Sequence, residues 1–296
     1  YLLGANRLTE RRRPLKALIN RRHFQTDENP DPVPMIRGPG ETVIPRDPAE
    51  RNSYGSQAAD LLAVRYGIVP EGREPEVMEN VVRDIREEWD GHLSVGWHGI
   101  PVICTELSRW GYADVAMQLF NNNTYPSWGY FLKHGFTTTP EGWSAGAPET
   151  LPTTRVIQSE KNSAGVWFYD ALGGILPDFD SPGFKHFTLR PIPAPGVDEA
   201  EVSFESLYGT VRSAWRRSGP AMTWRIAVPP NTTADVYMPV SSRAARISEG
   251  GILFVADGGT QRGIKGMTFR SFRSTPAGLY AHLRVQAGTY DLKTER

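Results

Sequence analysis

With a single cysteine, Cys104, the 296-residue chain cannot form an internal disulfide, so its stability has to come from packing. It has no surplus charge either, since 33 basic residues stand against 33 acidic ones. Nucleic acids and anionic membranes select strongly basic surfaces, so neither is expected as a partner. No apolar run approaches the length of a membrane span. Tyr1-Leu2-Leu3-Gly4 leads into Arg11-Arg12-Arg13 without the cleavage pattern of a signal peptide, which leaves the compartment open. No cluster of His, Cys and Asp has metal-ligand spacing, and His92 and His98 in a Gly-rich stretch form only a weak pair. Gly250-Gly251 and Gly258-Gly259 read as hairpin turns, because no Lys-Ser/Thr follows them at phosphate-loop spacing. No metal or cofactor is expected.

Aromatic residues are what the chain has in plenty, at 10% with eight Trp. The length suits two domains. Seven prolines, from Pro14 to Pro48, punctuate the first fifty residues, so residues 1–52 are expected to form an irregular Pro/Arg-rich arm or insertion. The cluster Arg11-Arg12-Arg13, Lys16 and Arg21-Arg22 reads as a solvated charge run before it reads as a phosphate or acidic-sugar site. From Ser53 the period becomes helical. Ala58, Leu61, Leu62 and Tyr66 recur at helix spacing, and Gly67 and Pro70 stop that helix. Val77, Met78, Val81, Val82, Ile85 and Trp89 form one apolar stripe. Val115, Ala116, Leu119 and Phe120 form another, residues 125–134 a short helix, and Ala164, Trp167, Phe168, Ala171 and Leu172 a last one opened by Ser159 and closed by Gly173-Gly174. After Pro177 the period changes to two. Val202/Phe204, Val211/Ser213/Trp215 and Met222/Trp224/Ile226/Val228 alternate, and Gly and Pro turns separate the runs. The fold class is therefore α + β and multidomain: helical hairpins over residues 53–180, then an antiparallel β-sandwich over residues 181–296.

One segment stands out for chemistry. In Gly135-Phe136-Thr137-Thr138-Thr139-Pro140-Glu141-Gly142-Trp143 a lone acid lies in a loop beside an aromatic. An aromatic face can stack on a pyranose while the acid handles a proton, which is how a sugar-processing site is built. A solvated loop Glu beside a core Trp is the plainer alternative. Trp143 itself reads equally as a sugar platform or as a wedge that orients the loop. Trp97 and His98 sit in a Gly-flanked loop, where His98 is either a hydroxyl ligand or a satisfied structural residue. Trp128 and Tyr125 divide between core and pocket wall. Asp60 and Glu106 are spare acids.

Several segments in a fixed order resemble the bacterial α-L-rhamnosidases of glycoside hydrolase family 78. These are Tyr54-Gly55-Ser56-Gln57 through Tyr66-Gly67-Ile68-Val69-Pro70, His92 to Pro101, Thr124-Tyr125-Pro126-Ser127-Trp128-Gly129-Tyr130, Gly135 to Trp143, Pro182 to Phe187, and Val228 to Ala234. The resemblance covers about residues 52–292. It implies an (α/α)6 barrel, here incomplete, followed by a C-terminal β-sandwich. It also implies an inverting glycosidase acting on terminal rhamnose or a related sugar, with Glu141 as the general base that activates water. Trp143, Trp97, His98, Gln158 and Trp128 would bind the carbohydrate. The general acid of the family lies upstream of the matching region, so another chain or an upstream segment is expected to complete the barrel. Two positions depart from the family pattern: Pro140 stands where the family has Trp, and Ile157-Gln158 where it has Asn-His. A lyase or another glycosidase on the same fold, or a non-catalytic carbohydrate-binding piece, are the alternatives.

Overall fold

The computed structural model describes residues 2–26, 52–140, 143 and 159–295; the side chains of residues 2–11 and 159 lie outside that description. The chain divides into two compact units, Tyr1–Glu106 with Gln118–Ala164, and Leu107–Met117 with Gly165–Arg296.

The first unit is helical. It contains α1 (Leu2–His23), α2 (Gln57–Arg65), α3 (Glu74–Arg83), most of α4 (Ile100–Arg109) and the end of α5 (Ala113–Asn121), α6 (Trp128–Lys133) and α7 (Ser159–Asn162). The stripe on α3 buries as its spacing requires: Val77, Met78, Val81, Val82 and Ile85 are all inside, whereas Trp89, beyond a one-turn π-helix, is 36% exposed. Ser56 caps α2 by accepting from the Ala59 amide. At the other end, the Ile68 amide donates back to the Ala63 carbonyl across Gly67, whose φ of 63° is the left-handed geometry of a glycine stop.

Residues 2–23, expected within an irregular arm, are instead the helix α1. Its apolar period is poor because its contact is polar. Arg12, Lys16 and Asn20 lie four apart on one face and donate to the Tyr66, Gly67 and Ile68 carbonyls at 3.4, 3.0 and 2.9 Å. α1 thereby satisfies carbonyls at the end of α2 that an isolated helix would leave to water. Pro14 lies within α1.

The second unit is built on a ten-stranded sheet, open at its edges, with path β1-β2-β5-β10-β6-β7-β8, β3 and β4 continuing from β5, and β9 paired to β10. The strands are β1 (Ile175–Pro177), β2 (His186–Leu189), β3 (Glu199–Ser206), β4 (Gly209–Ser218), β5 (Ala221–Val240), β6 (Arg246–Glu249), β7 (Ile252–Ala256), β8 (Gly259–Thr260), β9 (Met267–Thr275) and β10 (Gly278–Glu295). Pairing is antiparallel except between β2 and β5. β5 and β10 are long and serve two partner sets. Their 233–240 and 279–286 portions pair with β2 and β9 on either side, and their 222–228 and 288–294 portions with β4 and β6. Each half has one buried face: Phe187, Leu189, Ala234, Val236, Met238, Leu283 and Val285 in the first, Val211, Trp215, Trp224, Ile226 and Leu292 in the second. The result is sandwich-like, as the alternation predicts. The last helix of the hairpin region is broken where a continuous one is expected. α7 gives way to a 3-10 turn at Ser163–Gly165 and a π-turn at Phe168–Leu172. Trp167, fully buried, there donates to Ser108 Oγ at 2.8 Å.

Candidate active site

Glu141 and Gln158 lie outside the described residues. The chain on either side of Glu141, at Pro140 and Trp143, is described, and the residues that hold it come from three separate stretches of the first unit.

α6 carries the aromatic part. Its N-cap Ser127, 2% exposed, accepts from the Tyr130 amide at 2.9 Å, which fixes where the helix begins. Gly129 is required there, since a Cβ would lie 2.3 Å from the Asn122 carbonyl oxygen. With the start fixed, Trp128 stacks on Phe120 at 5.3 Å and Phe131 is buried. Trp143 packs into this group. Its ring lies parallel to Phe131 at 5.6 Å and edge-on to Trp128 at 5.4 Å. Its indole N–H donates to the Val95 carbonyl at 3.2 Å. These contacts match the loop-orienting alternative for Trp143 more closely than a free sugar platform.

Val95 begins the second stretch. Gly96 to Gly99 close a tight turn through a Gly99 amide to Gly96 carbonyl bond of 3.0 Å. Gly99 is close-packed, because a Cβ would meet Val95 Cβ at 2.6 Å. The turn presents Trp97, 48% exposed, and His98, also exposed. Trp97 thus projects two residues from the carbonyl that anchors Trp143. Trp128, Trp143 and the Trp97 turn are brought together in one part of the unit.

The third stretch supplies a residue that motif reading passed over. Lys161 on α7 is 1% exposed. Its ammonium donates to the Pro140 carbonyl at 2.7 Å and lies 4.9 Å from the centroid of the Trp143 ring. Its own carbonyl accepts from Trp128 Nε1 at 3.0 Å. A buried ammonium is stable only where hydrogen bonds and π-faces replace its water. Lys161 therefore ties together Pro140, Trp143 and Trp128. The available signal was its place three residues before Ala164, in line with the apolar stripe.

The other candidates have structural employment. Asp60, 3% exposed, accepts from Ser53 Oγ at 2.9 Å and from the Tyr54 amide at 2.6 Å. Glu106, 4% exposed, pairs with Arg65 at 2.9 Å. His92 has Nδ1 at 2.9 Å from the Trp89 carbonyl and Nε2 at 2.9 Å from Thr124 Oγ1, so it has no nitrogen left for a metal. Among the described residues no group of three or more His, Cys, Asp or Glu could hold a metal ion, and no helix is long and apolar enough to cross a membrane. Burial raises the Asp84 carboxyl above its ordinary range, and a Gln57 hydrogen bond and the Arg83 charge oppose the rise.

Comparison with known proteins bears on what this arrangement serves. The profile of the bacterial alpha-L-rhamnosidase 6 hairpin glycosidase domain matches residues 4–171, and that of the C-terminal domain of the same enzymes matches residues 174–252. The chain belongs to the bacterial α-L-rhamnosidase family. An α-L-rhamnosidase of Streptomyces avermitilis is 34% identical over 188 residues, covering 62% of this chain and 18% of that protein. One from Formosa agariphila is 30% identical over 185 residues, covering 62% and 19%. The crystal structure of the Streptomyces avermitilis α-L-rhamnosidase complexed with L-rhamnose superposes with a TM-score of 0.64 at 29% identity, over 81% of this chain and 21% of that one. The Dictyoglumus thermophilum enzyme, at 24% identity, shows the same fold with a TM-score of 0.70 over 82% and 26%. The chain thus spans about a fifth of the length of the curated rhamnosidases it matches. The helical profile begins at residue 4, so it takes in α1 as well.

Proposed function

We propose that this chain forms part of an inverting glycosidase that removes terminal L-rhamnose, or a closely related sugar, from glycans or glycosides. Glu141 acts as the general base. Its carboxylate takes a proton from a water that attacks the anomeric carbon, and its charge favours the oxocarbenium-like transition state. A carboxylic acid roughly 6.5–9.5 Å away protonates the leaving oxygen, the separation that leaves room for water. That acid comes from an upstream segment or a partner chain. Trp97 and His98 line the sugar pocket. Gln158, where the family has His, offers the sugar a hydrogen bond without charge. Trp143 and Trp128 hold the loop, and Pro140, in place of the family's Trp, contributes its carbonyl to Lys161.

The observation that carries this reading is the clamp on Pro140 and Trp143. A general base must be held to within a fraction of an ångström of its water, and a buried cation bonded to Pro140 before it and facing the stacked Trp143 ring after it is a means of holding it. The rhamnosidase names of the relatives support the sugar. The test is turnover of a nitrophenyl α-L-rhamnoside by the protein carrying Glu141→Gln, with kcat expected to fall about 10³- to 10⁴-fold. Proton NMR of the first product should show the β anomer of rhamnose. First release of the α anomer would rule out inversion, and an unsaturated, ultraviolet-absorbing product would replace hydrolysis with elimination.

A further inference from the structure

The second unit has a groove of about 1030 Å³ on the outer face of its sheet, which the hydrolysis described above does not use. Strand register lays out its floor in two rows. Glu201, Ala214, Arg225 and Asp291 face one another across β3, β4, β5 and β10. Glu199, Arg216, Thr223, Lys293 and Ser248 do so across β3, β4, β5, β10 and β6. Five strands at a spacing of about 4.8 Å make the second row about 19 Å long, longer than a single sugar ring needs.

The lining is charged and nearly balanced, with Arg212, Arg216, Arg225, Arg246 and Lys293 against Glu199, Glu201, Asp291 and Glu295. Arg212 pairs with Glu201 at 2.5 Å, Arg216 with Glu199 at 2.5 Å, Arg225 with Asp291 at 2.6 Å and Lys293 with Glu295 at 2.9 Å. Exposed pairs of this kind contribute little to folding, so stability does not account for their density. Pairing uses only part of each group. A guanidinium has five N–H donors and a carboxylate about four lone-pair sites, so donors and acceptors remain side by side along the groove. A ligand with several fixed charges would gain little, because four of the five cations already have a counterion. Between the pairs the floor is small, with Ala214 and Thr223 in the middle and Gly250-Gly251 at one end. An extended neutral ligand rich in hydroxyls, each both donor and acceptor, meets all of these conditions.

We infer that this groove is an accessory binding site for a neutral oligosaccharide, distinct from the residues around Glu141. The ligand class rests on the carbohydrate reading of the protein, but the site needs neither Glu141 nor catalysis. The test is calorimetric titration with a linear α-linked tetrarhamnoside while free L-rhamnose saturates any monosaccharide site. Binding is expected in the unaltered protein and should weaken at least tenfold in Arg225→Ala/Asp291→Ala and in Ala214→Gln, which fills the floor. Melting temperatures should stay within a few degrees, since the deleted pair is exposed. Equal affinity in all three proteins, binding abolished by free rhamnose, or no binding at all would overturn the site. So would variants that change self-association while sugar affinity holds, which would give the groove to a protein partner. None of these results bears on the Glu141→Gln assay, so the two readings fail separately.

Discussion

Asp235 is the hub of a polar network on the half of the sheet away from that groove, and replacing it with Asn tests how much the network holds. Its carboxylate accepts from His282 Nε2 at 2.9 Å and Arg284 Nη1 at 3.0 Å, and His186 Nε2 lies 3.0 Å away. The register of β5 with β2 and β10 imposes the arrangement, setting Asp235 against Thr188 on one side and Arg284 on the other. Asn keeps one acceptor oxygen and loses the charge. Hydrogen bonds to charged groups contribute about 1.5–3 kcal/mol each, and the partial exposure of Asp235 screens them, so Asp235→Asn should cost about 2–3 kcal/mol. For a protein of this size that lowers Tm by about 6–10 °C. Burial alone would raise the Asp235 pKa, but the hydrogen bonds from His282, His186 and Arg284, with the Arg284 charge, outweigh it and the pKa is lowered. A lowered carboxylate pKa contributes stability that is fully present above the unfolded value of about 3.9 and is lost as pH falls through the folded value. Urea unfolding of both proteins from about pH 7 down to about pH 3 should therefore show a steady gap that closes below about pH 4. A gap under about 0.5 kcal/mol at neutral pH, or one that persists unchanged in acid, would refute the reasoning.

Other substitutions probe the helical unit and the chain just before β1. If the proposed hydrolysis holds, Lys161→Met should lower its kcat about ten- to a hundredfold with KM nearly unchanged, because a small misplacement of the proposed base costs rate rather than binding, and Lys161→Arg should restore part of it. An effect confined to KM would remove Lys161 from loop positioning. Glu106→Gln should destabilise by about 1–3 kcal/mol through its buried pair with Arg65, yet leave the pH–rate profile in place; loss or displacement of the alkaline limb would make Glu106 a catalytic acid. Gly174→Ala should cost more than about 3 kcal/mol. The residue has φ of 68°, a Cβ would lie 2.2 Å from the Arg190 carbonyl carbon, and normal urea resistance would contradict both facts.

Much of the fold was legible because burial imposes a period. The α3 stripe and the alternation through β4 and β5 are direct prints of a buried face. The parts that escaped have physical reasons of their own. α1 looked irregular because its inward face is made of donors, Arg12, Lys16 and Asn20, which satisfy carbonyls instead of burying carbon. β5 runs straight through Pro229-Pro230, residues that ordinarily interrupt a strand. The partners of β5 lapse there: β4 pairing stops at Ala227, β2 pairing starts at Thr233, and β10 shifts register between Gln286 and Gly288. Prolines remove no ladder bond where the ladder is already interrupted, and Asn231 with φ of 61° turns the strand from one half of the sheet to the other.

The site divides in the same way. Aromatic residues could be picked out from the sequence because stacking is a property of the residue type, and Trp128, Trp143 and Trp97 do fall in one region. What joins them is Lys161, and a lysine in a sequence ordinarily means surface. Its burial becomes necessary only once two facts that no local pattern contains are combined. Pro140 brings a carbonyl to the end of α7, and Trp143 brings a π-face to the same place. Both replace part of the water that the ammonium gives up on burial. The ring of Pro140 restricts the backbone that carries the carbonyl to Lys161. The proline ring and the buried lysine thus act on the same stretch of backbone, and Pro140→Ala, which frees its φ, should loosen the Lys161 contact before it disturbs the fold.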